Sequence, residues 1–382
     1  MKQYFYSALT FILVGIMSCS NESVDKPIKA KIVIPTSLGY TYKEVEISSL
    51  TSIDPLEGTY VDIKGNAELD IAEDVDEIVK SSSPTDIYKT KGEKIKINYI
   101  VKDGVVVPKD FASLSALTIY HNYETVFKFW EDNFSLSLTD FGKLTIYNNP
   151  KLTFTSDDLT ATVETKVNAA FLPGTRDFWF FKKSGIAKIP LKMNLGVLAH
   201  EFSHAIFDDR FAERSVANYE TASEEADFIL SGINEGIADY FAFMVTGRVT
   251  DFSLSIEQLA EEREMPVPWR LSTVIDAPCF DSFYCIGSIV ASSLYEISNS
   301  LASKYDNSRV EVGKAIYAAL GTEEVKTFWD QYKDSNLFLI SHLLIEIKNQ
   351  ADPADLSVYC ESFKKWFDTP DELEYLEANG CI

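Results

Sequence analysis

Histidine is scarce in this chain of 382 residues, which contains only four, so any close pair of them is informative. Basic residues are also in deficit: 35 Lys and Arg against 58 Asp and Glu give a formal net charge of −23. Nucleic acids and anionic lipid surfaces attract basic proteins, so this charge argues against both kinds of partner. The 46% of hydrophobic residues can still form a core, and the length suggests about two or three domains.

Long hydrophobic runs are absent beyond the amino terminus, so no later segment is predicted to cross a membrane. Residues 1–18 contain Lys2 and then an apolar run that is short for a spanning helix but typical of a signal peptide. Ile16-Met17-Ser18-Cys19 resembles a bacterial lipobox, in which the cysteine is lipidated. We therefore predict an exported bacterial lipoprotein, anchored through Cys19 and facing the periplasm or the cell surface. The alternative is an ordinary secretory signal that contains a cysteine.

Cysteines that form a CxxC pair, the spacing common in zinc sites, are also missing. After Cys19 the chain has four cysteines, and an even number in an exported chain indicates disulfides, with three possible pairings. Proximity in sequence favours Cys279–Cys285 and Cys360–Cys381.

The hydrophobic pattern divides the chain near residue 110. Before it, Lys29–Ile34, Tyr42–Ile47 and the run 94–107 around Asp103-Gly104 alternate apolar and polar residues, which predicts strands and a hairpin. After it, helical spacing begins at 112–130, short strands follow at 144–147 and 178–181, and the chain is mostly helical from Met193 onward, with amphipathic segments at 286–303, 309–319 and 323–349. We predict an α+β protein with a small β-rich domain at 19–110 and a second domain at 111–382.

His200-Glu-Phe-Ser-His204 uses two of the four histidines and lies in an apolar segment that predicts a buried helix. Residues four apart lie on one face of a helix, so both imidazoles can bind one zinc ion. Glu201 lies beside them and can act as general base toward water at the metal. The alternative, a chance match on a surface helix, does not fit the apolar flanks.

A catalytic zinc site needs a third protein ligand. The segment Ser231-Gly-Ile-Asn-Glu-Gly-Ile-Ala-Asp-Tyr240 predicts a second apolar helix, on which Gly232 and Gly236 permit close approach to the first. Glu235 can then reach the metal, and Asp239, one turn further, can accept the outward N–H of a ligating histidine.

The two segments together resemble the gluzincin metallopeptidases, in particular the thermolysin-like and fungalysin-like families. Here the second motif reads Gly232-Ile-Asn-Glu-Gly-Ile-Ala-Asp239, one residue tighter between Gly and Asn than the family pattern. The resemblance implies a zincin-type catalytic domain, with a mixed sheet, active-site helices and a helical C-terminal lobe. It also implies zinc bound by His200, His204 and Glu235, with Glu201 as the base. Asp239 and Asn234 would support the ligands.

The resemblance also suggests residues that hold substrate. Asn168-Ala-Ala-Phe171 is similar to the edge-strand element of the family, which would make Asn168 and Ala169 contacts for the substrate backbone. Pro268-Trp-Arg-Leu271 is similar to the segment that carries the family's cleft arginine. Arg270 would then bind a substrate carbonyl, and the alternative for it is a surface salt bridge.

One family residue has no equivalent in the sequence. The histidine that stabilises the oxyanion in these families is absent from Phe283-Tyr-Cys-Ile-Gly-Ser-Ile-Val, and Tyr284 stands in its place. A phenol can donate a hydrogen bond to an oxyanion. The alternative is that Tyr284 is a packed aromatic residue beside a Cys279–Cys285 loop. The calcium-binding acids of the family are not recognisable either, so no calcium is predicted.

The sequence therefore predicts a zinc-dependent peptidase that acts on peptides or proteins. Because the oxyanion histidine is absent, the alternative is a weak or inactive zinc-containing lipoprotein that binds peptides. The region before residue 110 is either an inhibitory pro-segment or a retained module.

Overall fold

The computed structural model describes residues 27–36, 39–72, 87–89, 92–156, 159–163, 169–172, 176–182, 188–211, 222–257, 260–277, 279, 282–335 and 337–381. The predicted signal peptide, lipidated Cys19 and substrate contact Asn168 lie outside these residues and stay predictions. Strands dominate the first half of the described chain and helices the second, which confirms the α+β class.

The strands are short and most lie before residue 110. They are β1 (Ile28–Thr36), β2 (Gly39–Ile47), β3 (Leu50–Ser52), β4 (Glu57–Gly58), β5 (Val61–Gly65), β6 (Glu68–Ala72), β7 (Ile87–Lys89), β8 (Glu93–Lys94), β9 (Tyr99–Lys102), β10 (Val105–Pro108), β11 (Leu144–Asn148), β12 (Lys151–Ser156), β13 (Leu159–Val163), β14 (Ala169–Leu172) and β15 (Asp177–Phe180).

The predicted hairpin lies in the first sheet, of order β2-β1-β10-β9. Strands β9 and β10 pair antiparallel with Lys102 opposite Val105. The turn between them places Asp103 and Gly104 at positive φ, the conformation that glycine adopts without strain. The strands predicted at 29–34 and 42–47 are β1 and β2, so the alternation identified all four strands of this sheet.

The second sheet crosses the boundary that the sequence predicts near residue 110. Its order is β14-β15-β11-β5-β8, and β5 pairs parallel with β11, with Ile63 opposite Ile146. A third sheet, β13-β12-β6-β7, joins the two regions again through the parallel pair β6 and β12. The predicted boundary therefore does not separate two sets of independently paired strands.

The helices follow the predicted positions except at two places, the short helix at 138–141, which was not predicted, and the segment 323–349. They are α1 (Phe111–Phe134), α2 (Leu138–Phe141), α3 (Leu195–Arg210), α4 (Glu224–Thr246), α5 (Ala260–Arg263), α6 (Phe283–Ser300), α7 (Ser308–Leu320), α8 (Glu323–Tyr332), α9 (Ile340–Asn349), α10 (Leu356–Trp366) and α11 (Pro370–Ala378). The amphipathic segment 323–349 is not continuous but forms α8 and α9. Helix α9 starts anew because the Glu372 carboxylate accepts from the backbone N–H groups of Ile340 and Ser341.

Helix α1 connects the sheets to the later helices. Its N-terminus is capped by Asp110, which accepts from the backbone N–H of Ser113 at 2.8 Å. Its Phe127 and Trp130 are fully buried and contact Phe202 of α3 and Phe241 of α4 with ring centroids 5.3 and 5.0 Å apart. The helices that carry the predicted metal ligands are thus fixed to the sheet through α1.

Two disulfides are present as predicted, Cys279–Cys285 and Cys360–Cys381. Among the described residues, α4 alone is long and apolar enough to span a membrane, but 67% of the relevant stretch is buried inside the protein. A buried core helix satisfies the same criterion, and α4 packs against both α3 and α6.

Candidate metal site

Helix α3 holds His200, Glu201 and His204 in the interior. Asn194 caps its N-terminus by accepting from the N–H of Gly196, and its amide donates to the backbone of Asp251. The surrounding positions of the helix are apolar and almost fully buried: Leu198, Ala199, Phe202, Ala205 and Ile206. This packing leaves the helix no freedom to rotate, so the two histidines are presented in a fixed direction.

Helix α4 brings Glu235 to the same place because it packs against α3, but Gly232 and Gly236, predicted to face α3, instead face α6. A Cβ atom on Gly236 would lie 2.5 Å from the backbone oxygen of Gly287, and one on Gly287 would lie 2.9 Å from Cβ of Glu235. Only hydrogen fits at these positions. The contact fixes the position of Glu235 relative to the two histidines of α3.

The side chains of His200, His204 and Glu235 converge on one point. The Nε2 atoms of the two rings are 3.0 Å apart. The Glu235 carboxylate lies 3.3 Å from Nε2 of His200 and 3.6 Å from Nε2 of His204. One ligand atom from each residue lies within 4.8 Å of the others, a grouping that could hold a metal ion.

The outer nitrogens of both rings face oxygen atoms. Nδ1 of His204 is 3.0 Å from Oδ1 of Asn234, and Nδ1 of His200 is 2.9 Å from Oδ1 of Asp239, although the latter pair is not aligned as a good hydrogen bond. Protons on Nδ1 leave the Nε2 lone pairs facing each other and the Glu235 carboxylate. Such lone pairs repel unless a cation lies among them, so the donor set fits zinc.

The electrostatics of the protein groups alone also favour positive charge at this point. Burial opposes protonation of His200, but Asp239 and Glu235 outweigh it and raise the pKa of His200 to about 9. Burial lowers the pKa of His204 to about 4. Burial disfavours the Glu235 anion too, yet His204, His200 and Arg263 hold the pKa of Glu235 below its usual value. A proton and a metal ion therefore compete for the same imidazole nitrogen.

Arg263 completes the site, and the sequence did not predict it. It donates to both carboxylate oxygens of Asp239, at 2.9 and 2.7 Å, and to Glu235 at 3.1 Å. Its guanidinium lies between the rings of Phe252 and Tyr284, 4.6 and 4.7 Å from their centroids. Two buried carboxylates need a buried cation. The sequence signalled the need for such a cation through Glu235 and Asp239. It did not indicate which of the arginines after Asp239 would supply it.

Glu201 lies beside the cluster and is shielded from water, with 5% of its surface exposed. Burial raises the pKa of Glu201 to about 7, a charge on His200 counteracts this shift, and Glu235 adds to it. The backbone of Phe171 in β14 hydrogen-bonds to the carboxylate. Glu201 is thus held between α3 and the end strand of the second sheet, with a pKa suited to taking up and releasing a proton near neutral pH.

Tyr284 lies at the N-terminal turn of α6 with its ring on Arg263 and 38% of its surface exposed. The negative charge of Glu235 and then burial raise the pKa of Tyr284 well above its usual value. The phenol therefore stays protonated and can donate a hydrogen bond near the cluster. The Cys279–Cys285 disulfide encloses the turn that carries it.

The predicted substrate residues are placed differently. Ala169 begins β14, the end strand of the second sheet, and pairs with Phe180 of β15. Arg270 does not contact the cluster within the described structure. It lies exposed at the start of the 3-10 turn Leu271–Asp276 and lines a separate pocket with Glu296 and Trp366. The arginine next to the metal ligands is instead Arg263 of α5, which donates hydrogen bonds to Glu235 and Asp239.

Comparisons with known proteins add little. No family model matches the chain. No curated protein matches it in sequence. Among solved structures, it is similar to the precursor of protealysin, a metalloproteinase from Serratia proteamaculans, with 12% identity and a TM-score of 0.49 over 81% of this chain and 88% of that chain. A likeness at this level supports no inference about activity, which must come from the site itself.

Proposed function

We propose that the protein is a zinc-dependent peptidase that hydrolyses peptide bonds in peptides or proteins. One observation carries the proposal: three zinc-type donors converge while a buried carboxylate that is not among them, Glu201, lies at the same point. A purely structural zinc site is normally closed by four protein ligands, whereas a catalytic one has three and an open position. Among the described residues, the grouping has three.

A zinc ion held by His200, His204 and Glu235 would polarise the substrate carbonyl and make a water molecule more acidic. Glu201 would take a proton from that water as the water oxygen adds to the carbonyl carbon, and it would return the proton to the amine nitrogen as the C–N bond breaks. Glu201 can serve in both steps because its carboxylate lies buried beside the three donors without being one of them.

Tyr284 and Arg263 have supporting tasks. The Tyr284 hydroxyl donates to the carbonyl oxygen as that oxygen gains negative charge. Arg263 fixes the carboxylates of Glu235 and Asp239 by hydrogen bonds, and its flat guanidinium supports the Tyr284 ring. One buried arginine thus sets the orientation of a proposed ligand, of the acceptor beside His200 and of the proposed hydrogen-bond donor.

The test is Glu201→Gln, with turnover of a peptide library and zinc content measured together. We expect zinc to remain at the wild-type level, because Glu201 is not among the three donors. Turnover should fall by about 10²–10⁴-fold, the usual effect of removing a general base. Glu235→Gln is the matched control, since it should lower zinc content as well as turnover.

Three results would count against the proposal. A protein that binds no zinc would exclude the metal site, and equal turnover by wild type and Glu201→Gln would exclude the base. Tight peptide binding without turnover by either protein would favour the alternative, a zinc-containing peptide-binding protein.

A further inference from the structure

A second pocket lies away from the metal cluster. Its volume is about 300 Å³, within the range of ligand sites, and it opens to solvent. It lies at the C-terminal half of α6, where Tyr295 is eleven residues beyond Tyr284, or about 16 Å along the helix axis. Besides Tyr295, its walls include two prolines, one indole ring and three charged side chains: Pro266, Pro268, Trp366, Arg270, Glu296 and Lys365.

The charges of this pocket are not balanced. Lys365 and the indole N–H of Trp366 both donate to the same oxygen of Glu296, at 2.5 and 2.7 Å, so the carboxylate is neutralised within the pocket. The guanidinium of Arg270 has no ion pair or hydrogen bond to any residue of the described chain. One positive charge is left over in a protein whose net charge is −23. The pocket therefore favours a ligand with a single negative charge.

The remaining walls favour an apolar group next to that charge. Pro266 and Pro268 are exposed at the rim, and the Trp366 side chain lines the interior. Prolines and an indole offer rigid apolar surface that loses little conformational entropy on binding. The second oxygen of Glu296, which accepts from neither Lys365 nor Trp366, can accept an N–H group.

We propose that this pocket binds the C-terminal residue of a peptide. Its free carboxylate pairs with Arg270, its apolar side chain packs on the prolines and Trp366, and its backbone N–H donates to Glu296. A terminal residue carries all three groups on one carbon atom, which matches the single charge and the adjacent apolar walls. The opening to solvent leaves room for the rest of the peptide. The assignment does not depend on the proposed peptidase activity, since the pocket contains none of the metal-site residues.

The test is calorimetric titration of the full chain carrying Glu201→Gln, so that the peptide is not consumed. The probes are acetyl-Ala-Ala-Phe with a free carboxylate and the same peptide as its C-terminal amide. We expect the amide to bind at least about tenfold more weakly, and Arg270→Ala to weaken binding of the acid by a similar factor, as expected for loss of a charge-assisted hydrogen bond. Lys364→Ala is the matched control, because it removes one surface cation outside the pocket, paired with Glu377, and should leave the affinity unchanged.

Each contrary result overturns the assignment. Absence of binding by the acid excludes the ligand class, and equal affinity for acid and amide excludes recognition of the carboxylate. Equal affinity of the Arg270→Ala variant places the peptide elsewhere, for example at the metal cluster. Far-UV circular dichroism and the melting temperature of each variant exclude unfolding as the cause of a loss.

Discussion

At the scale of single residues, Tyr284 occupies the place where the sequence resemblance would put an oxyanion-stabilising histidine. Its surroundings differ from those of a core tyrosine: the ring lies on a guanidinium, the hydroxyl is near a carboxylate, and part of the side chain is open to solvent. A residue that served only to pack would gain nothing from this exposure. The placement supports the role of hydrogen-bond donor at the cluster.

Tyr284→Phe tests that role while keeping the ring on Arg263. We expect kcat to fall by about 10²–10³-fold, the usual cost of losing one donor to a developing oxyanion, with KM and zinc content little changed. Steady-state kinetics on one defined peptide measures the effect. Tyr295→Phe, on the same helix but beside the second pocket, is the control and should retain full kcat. An unchanged kcat in Tyr284→Phe would assign the phenol to packing alone.

Single site residues could be predicted from the sequence where their relative positions follow from neighbouring residues in one helix. The positions of His200 and His204 relative to each other follow from helical spacing, so the sequence indicated them directly. Arg263 could not be recognised in this way, because its contacts join α5 to α4 and α6 through tertiary packing. The prediction for Arg270 rested on the similarity of one short segment, and the structure places this residue in a separate pocket.

At the scale of elements, the contact between α4 and α6 determines the geometry of the site. Glycines occur on both sides of it, Gly232 and Gly236 on α4 and Gly287 on α6. This spacing lets one helix carry Glu235 and the other Tyr284 while the two backbones nearly touch. Helix propensity does not explain these glycines, because glycine is less favourable in a helix than alanine by roughly 1 kcal/mol. The close contact between the two helices explains them.

Gly236→Ala should therefore destabilise the protein although alanine is the better helix former. The new Cβ would lie 2.5 Å from a backbone oxygen and 2.6 Å from Cβ of Val290, so the helices must separate. We expect a loss of about 1–3 kcal/mol in the free energy of unfolding, as for overpacked cores. Urea denaturation measures it. Ser231→Ala, five residues earlier on α4, is the control and should change stability little. Unchanged or raised stability of Gly236→Ala would mean that the contact is looser than described.

Strands and helices were predicted correctly where a local sequence pattern determines the element. Alternation identified β1 and β2, and the Asp103-Gly104 turn identified the hairpin of β9 and β10. The break between α8 and α9 was missed, since the cap that starts α9 comes from Glu372, more than thirty residues later in the chain. The polar run Lys333-Asp-Ser-Asn336 lies at the break, and its turn-forming residues were a local signal that the prediction of one long segment overlooked.

At the scale of the whole molecule, the region before residue 110 is part of the same core as the metal site. The Tyr60 ring stacks on Phe127 with centroids 4.9 Å apart, and its hydroxyl donates to Glu131 at 2.8 Å. Glu124 of α1 accepts from the backbone N–H groups of Ser48 and Ser49. One hydrophobic cluster contains buried residues from β1 to α11. The hydrophobic pattern of the sequence changes near residue 110. The pairing of strands from the two sides of this position could not be predicted, because parallel partners can be far apart in sequence.

These contacts predict that residues 111–382 do not form a stable protein alone, which argues for a retained module rather than a removable pro-segment. Without β5, strand β11 keeps β15 but loses the other of its two parallel partners, and the inner face of α1 loses Tyr60, Val61 and Ile63. We expect this fragment to lack a cooperative thermal transition and to hold no zinc. The control is a fragment of residues 27–382, which keeps all the described strands and should melt like the full chain. Circular dichroism and metal analysis of both fragments measure the difference. A cooperative transition of 111–382 near the temperature of the control, with zinc bound, would show instead that the earlier region is dispensable and could be removed by processing.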